Sequence, residues 1–160
     1  MLAIGDVILR GINFVFLVIA LGLTGSLAAT TVYQLNSQVN FAVFAAAFGL
    51  LTSSFYGVLA YFVASFAWPL ILAVLDFLNL VFTFAAATAI AANIRAHSCT
   101  NQDYLDSNTI TQGETDRCRK AQASVAFIYL SFAMFLASGV FSMISLFKGG
   151  MFGSKNTSKV

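Results

Sequence analysis

The chain has 160 residues, of which 59% are hydrophobic and 9% charged, with a mean hydropathy of +0.87. A soluble domain is about 25% charged, so this composition excludes a soluble globular enzyme, a disordered tail and a nucleic-acid-binding module. Eight Lys/Arg against six Asp/Glu leave a net charge of +2, and the placement of those charges says more than their sum. No Asp, Glu, Lys, Arg or His occurs from Gly11 to Leu75, from Phe77 to Ile94, or from Ala121 to Phe147. Uncharged apolar runs of this length read as membrane spans.

In chain order, a first spanning helix is expected over 7–30. Ser26-Leu27-Ala28-Ala29 resembles the cleavage region of a secretory signal, but the apolar run before it is long for one. The polar cluster Tyr33–Gln38 then provides the first turn. A second helix is expected over 40–66. Trp68-Pro69 holds the only proline. Proline suits a first helical turn and Trp a membrane boundary, so a third helix is expected over 68–95. A loop over 96–120 and a fourth helix over 121–147 follow, with a short tail over 148–160. The fold class is therefore an all-α membrane protein, a bundle of four transmembrane helices, with no room for a separate soluble domain.

Four spans place both termini on one side. Basic residues do not choose the side: Arg10, Lys148, Lys155 and Lys159 balance Arg95, Arg117, Arg119 and Lys120. Both cysteines, Cys99 and Cys118, lie in the long loop. A disulfide between them would persist in an oxidising space, which puts the loop outside and both termini in the cytoplasm. Glycosylation of the Asn156-Thr157-Ser158 pattern would reverse that topology. With the tail inside, Lys148, Lys155 and Lys159 are candidates to touch anionic inner-leaflet lipid.

On the second helix Ala42, Ala46, Gly49, Ser53, Gly57, Ala60 and Ala64 recur every three or four residues. Such a small-residue face lets helix backbones approach closely in lipid. It reads as a packing seam, within the bundle or between subunits. Asp76 is the acidic residue well inside a span, and Asn79 and Thr83 share its helix face. A membrane-embedded carboxylate needs a partner or water. Arg10, at a similar depth, is the expected partner, and Asn13 one turn later is expected to join it. Catalytic patterns are missing: His97 is the single histidine, and the chain holds no Cys-x-x-Cys pair, Gly-x-Ser-x-Gly elbow or phosphate loop. The protein is accordingly expected not to be an enzyme, with no catalytic residue, no metal and no cofactor.

Several segments together resemble one family. They are Ile8-Leu9-Arg10, Ser54-Phe55-Tyr56-Gly57-Val58, Trp68-Pro69-Leu70, Leu75-Asp76-Phe77-Leu78-Asn79 and Phe82-Thr83-Phe84. To these add Arg95-Ala96-His97-Ser98-Cys99, Ile110-Thr111-Gln112-Gly113, Arg117-Cys118-Arg119, Ala121-Gln122-Ala123, Val125-Ala126-Phe127 and Phe152-Gly153-Ser154. In order and nearly end to end they are similar to the fungal non-classical export protein 2 family, four-span proteins of the MARVEL type. The resemblance implies a multi-pass protein of the fungal plasma membrane with cytoplasmic termini and the Cys pair in an outer loop. It further implies residence in eisosome-associated, sterol-rich compartments, a response to sphingolipid status and a link to unconventional secretion. Family members carry a longer, Arg-rich C-terminal extension than the stretch that follows Phe152-Gly153-Ser154 here.

The expected function is that of a membrane organiser with sterol or sphingolipid as bound lipid. Its expected partners are membrane lipids, further copies of itself in a homo-oligomer, and an eisosome scaffold or other plasma-membrane proteins, with no nucleic acid. The alternative is a small transporter or proton-coupled carrier built around Asp76. A carrier would expose Asp76 to a wet cavity; an organiser would seal it against Arg10, Asn13 or Asn79.

Overall fold

The computed structural model describes residues 4–32, 35–57, 59, 69–95 and 97–149. Helix α1 is Ile4–Ala29, α2 is Ser37–Gly49, α3 is Pro69–Ile94, α4 is Gln102–Ser107 and α5 is Thr115–Gly149. Helix α2 continues directly into a π-helical stretch, Leu50–Tyr56. Four stretches are long and apolar enough to cross a membrane: Gly5–Ala29, Ser37–Tyr56, Leu70–Ile94 and Thr115–Ile144.

Local chemistry sets the helix ends. Asn36 caps α2, its side chain accepting from the Gln38 N–H at 3.2 Å. Pro69 opens α3, where its missing N–H costs nothing. Asn101 caps α4 in the same manner, accepting from the Tyr104 N–H. In the turn before α5, Gly113 has φ +83°, and a Cβ there would stand 3.0 Å from Asp106 Oδ1. Both the backbone and the space require glycine at that position.

Several boundaries depart from the sequence reading: α1 begins at Ile4 rather than at 7 and α2 at Ser37 rather than at 40. Helix α5 begins at Thr115 rather than at 121, because its basic residues are not solvated loop charges. Arg117 is 2% exposed, and Asp116, favourable in a first helical turn, pairs with Lys120 at 2.7 Å. The expected 96–120 loop therefore shrinks, and α4 is built into it. At the other end, α5 runs past 147 through Lys148 to Gly149. The expected end of the second helix at 66, with Ala60, Ala64 and Trp68, lies outside the described residues, as do Lys155 and Lys159.

Helices α1 and α3 each pack against both α2 and α5. The small residues of α2 decide how close this packing is. Ala42, Ala46, Gly49, Ser53 and Gly57 are all buried. A Cβ on Gly49 would meet Leu17 Cδ1 at 3.1 Å, and one on Gly57 would meet Arg10 Cδ at 3.0 Å. This part of the face is thus used inside the bundle and offers no seam between subunits. The core is otherwise a narrow column that includes Leu17, Ala20, Leu27, Ala86, Ile90, Ile128 and Phe135. Outward side chains such as Phe14, Val18, Phe77, Phe84 and Val140 remain exposed, as lipid-facing positions should.

Candidate functional site

The polar cluster sits at the end of the bundle where α1 and α3 begin and α5 ends. Asp76 lies about 10 Å from the start of α3 by helical rise. Its Oδ2 accepts from Arg10 Nη2 at 2.8 Å, Ser142 Oγ at 3.0 Å and Ser138 Oγ at 3.5 Å. Arg10 also donates through Nε to Asp6 Oδ2 at 2.9 Å and through Nη1 to Ser53 Oγ at 3.4 Å. Ser138 donates to the other oxygen of Asp6. Asp6, Arg10 and Asp76 are 2%, 4% and 1% exposed. Side chains of α1, α3 and the π-helical stretch therefore converge on one guanidinium, α5 backs its carboxylates with two serines, and Gly57 gives it room: a side chain there would press on Arg10 Cδ and Nη1.

The expected network of Arg10, Asn13, Asp76, Asn79 and Thr83 is only partly one unit. Arg10 and Asp76 meet. Asn13 is buried, but no hydrogen bond among the described residues ties it to either, and its Oδ1 has no partner. Asn79 turns instead to Thr52 Oγ1 at 2.7 Å and to the Leu75 carbonyl at 2.9 Å. Thr83 Oγ1 donates to the Asn79 carbonyl at 2.6 Å. Asn79 and Thr83 thus form a separate layer deeper in the bundle, because their amide and hydroxyl find partners closer than the charged cluster.

Asp6, Ser138 and Ser142 escape the sequence reading, and Ser53 figures in it only as part of the small-residue face. Their signals are visible in retrospect. Asp6 lies four residues before Arg10, the helical ion-pair spacing. Ser124, Ser131 and Ser138 repeat every seven residues on a helix whose other positions are mostly apolar, and all three are buried.

On the lipid side of α3 and α5 lies a crevice of about 360 Å³. Asp76 is the polar residue in its wall; Phe77, Leu80, Leu136, Val140 and Met143 are among the apolar ones, and Gly139 leaves one side open. Lys148 falls in the last turn of α5.

At the opposite end Cys99 and Cys118 form a disulfide, their Cα atoms 5.7 Å apart. Leu105 and Tyr104 of α4 pack on it. Arg117, read from sequence as a loop-flanking charge, is instead a buried clamp. It donates to the Ile110 carbonyl at 3.0 Å, the Leu27 carbonyl at 3.2 Å, Thr30 Oγ1, and Thr31 Oγ1 at 3.4 Å. Helix α1 has no basic residue in its own last turn, so Arg117 supplies that charge from α5. His97 is exposed and stacks on Tyr104, with ring centroids 4.6 Å apart. Among the described residues, no group of three or more His, Cys, Asp or Glu is placed to hold a metal ion.

Four spanning helices, tight small-residue packing and a polar cluster at one end define a four-span membrane-domain protein. Residues 2–141 match the model of the MARVEL membrane-associating domain. The chain is 78% identical over 153 residues to non-classical export protein 102 of Candida albicans, covering 96% of this chain and 90% of that protein. It is 55% identical over 159 residues to non-classical export protein 2 of Saccharomyces cerevisiae, covering 99% and 91%. A second Saccharomyces cerevisiae protein, non-classical export protein 2 homolog 1, is 49% identical over 154 residues, covering 96% and 88%. The chain belongs to the MARVEL-domain proteins and, within them, to the non-classical export protein 2 family. No solved structure matches it.

Proposed function

We propose that this protein is a non-enzymatic organiser of the fungal plasma membrane, gathering sterol and sphingolipid into eisosome-type compartments and serving unconventional secretion through them. The observation that carries this reading is the division of the bundle's surface. Its membrane-embedded charges, Asp6, Arg10 and Asp76, are turned inward and joined to one another, and its described outward faces are apolar side chains with an open crevice among them. Such a surface offers lipids area and shape. The names of its relatives, which speak of non-classical export, support the link to secretion.

The disulfide supports an oxidising location for the α3–α5 connection, hence termini in the cytoplasm. Lys148, Lys155 and Lys159 would then face the anionic leaflet, at about 1 kcal/mol each. Self-association is part of this proposal, through faces other than the buried seam of α2, together with eisosome scaffold or other plasma-membrane proteins as partners. A carrier built around Asp76 is less well supported: the carboxylate is 1% exposed and held by Arg10, Ser138 and Ser142.

The test is lipid analysis of the protein purified in mild detergent, with its native mass. Enrichment of sterol or sphingolipid over the bulk membrane, in an assembly larger than one chain, is the expected result. A monomer whose lipids mirror the bulk would overturn the reading.

A further inference from the structure

The cluster at the head of α1 and α3 is short of positive charge. Asp6 and Asp76 bring two carboxylates, Arg10 one guanidinium, and all three are at least nine-tenths buried. Among the described side chains, the facing elements add no second cation. Helix α5 brings Ser138 and Ser142 to the carboxylates, with Lys148 nearly two turns further on. The π-helical stretch brings Ser53, beside the titratable Tyr56.

One turn deeper, two buried amide oxygens lack hydrogen-bond donors. Asn13, one turn past Arg10 on the buried stripe of α1, keeps its Oδ1 unpartnered at 2% exposure. Asn79, one turn past Asp76 on α3, keeps its Oδ1 unpartnered at 0% exposure. That oxygen is turned into the bundle, 3.4 Å from where a Cβ on Gly49 would stand. Buried polar atoms without partners and uncompensated charge in a membrane are both expensive. One guest relieves both deficits: a small monovalent cation held by oxygens.

We propose that this cluster binds one monovalent cation, either a proton or an alkali ion. Hard cations take oxygen ligands, and the carboxylates, serines and asparagine amides here are all oxygen donors. A single charge matches the imbalance of the cluster. Ser138 couples the two carboxylates, its hydroxyl donating to Asp6 Oδ1 and lying 3.5 Å from Asp76 Oδ2. A proton would be shared along that line. The site goes beyond the organiser reading and does not depend on which lipids the protein gathers.

The experiment is thermal unfolding of the full chain in detergent. One arm varies sodium at fixed pH and ionic strength, with choline as the balancing cation. The other varies pH in choline alone. A ligand that binds only the folded state raises the midpoint with its concentration. A rise with sodium identifies an alkali ion; a rise with acidity alone identifies a proton. Either dependence should be lost in Asp6→Asn and Asp76→Asn, each of which removes the surplus charge. A dependence as large in both variants as in the wild type overturns the site. Infrared spectra of the wild type guard against variants that fail to fold. A carboxylic-acid carbonyl band at neutral pH marks the proton. No such band together with no response to sodium overturns the proposal.

Discussion

Arg10 Nη2 lies 2.8 Å from Asp76 Oδ2, although 66 residues separate them. The contact fixes the rotation of α1 against α3 inside the membrane, and Asp6 and Ser142 fix it from two further directions. Breaking a buried pair costs about 3–5 kcal/mol in soluble proteins, because the survivor is stranded. Arg10→Gln strands two carboxylates and should be the most destabilising change. Asp76→Leu should come next, and Asp76→Asn should be milder because its amide oxygen still accepts. Asp6→Asn should be mildest, since Asp76 still neutralises Arg10. Thermal unfolding in detergent checks the order, and four variants matching the wild type would refute the pairing.

Gly57 should resist substitution even by alanine. Its φ of −63° is helical, so on propensity alone alanine would be better by about 0.8–1 kcal/mol. The contact decides otherwise. A Cβ would come within 3.0 Å of Arg10 Cδ and 3.2 Å of Nη1, and Arg10 is tied to Asp6 and Asp76. Overpacking of this kind costs about 1–3 kcal/mol. Gly57→Ala should lower the unfolding midpoint, and the penalty should vanish when Arg10 is also changed to Ala. A stabilised Gly57→Ala would show that Arg10 moves aside freely.

Span number, the fold class and the Arg10–Asp76 contact were legible in the sequence because lipid imposes simple rules. Uncharged runs, the first divided by the Tyr33–Gln38 cluster and by Trp68-Pro69, count the helices, and a lone carboxylate within a span demands a partner. What stayed illegible depends on rotation and depth. Arg117 sits in a string of charges, Arg117-Cys118-Arg119-Lys120, of which only the first turns inward; nothing in composition distinguishes it from Arg119, which is exposed. Ser138 and Ser142 are small and common in membrane helices, and become meaningful only when α5 brings them to Asp6 and Asp76. The π-helical stretch at Leu50–Tyr56 has no sequence signature of the kind that Pro69 gives α3.

Arg117 should behave as a structural clamp that lysine cannot replace. Its fork reaches the carbonyls of Leu27 and Ile110 and the hydroxyls of Thr30 and Thr31 together, which a single ammonium cannot do. Each buried acceptor left without a donor costs about 1–3 kcal/mol. Arg117→Lys should lower stability and speed amide exchange in the last turn of α1. Arg119→Lys, at an exposed position, should do neither. Equal behaviour of the two variants would contradict the clamp.

The disulfide should stabilise by about 3 kcal/mol in the chain-entropy view, given the sequence separation of 19 between its cysteines. Reduction, or the Cys99→Ser/Cys118→Ser double variant, should lower the unfolding midpoint and loosen α4, whose Leu105 packs on the pair. The four spans should remain, since their packing does not pass through the loop. Circular dichroism before and after reduction separates these outcomes: a lost midpoint with retained helicity is expected, and global loss of helix would place the disulfide in the core of the fold.

Tyr104 gives the loop end an alkaline limit. Its hydroxyl donates to the Ile94 carbonyl at the end of α3. Burial pushes its pKa above the ordinary value, against a smaller opposing pull from Arg95. The folded state therefore holds the phenolic proton more tightly than the unfolded chain does. That contribution is complete below the unfolded value of about 10 and is lost as pH rises from there through the folded value. Subtracting the phenolate absorbance titration of Tyr104→Phe from that of the wild type isolates this one tyrosine of five. Its transition should fall above about 10, and the wild-type unfolding midpoint should decline more steeply with alkalinity than that of the variant. A transition at or below the free value, or parallel declines, would show that the Tyr104 hydroxyl does not hold α4 to α3.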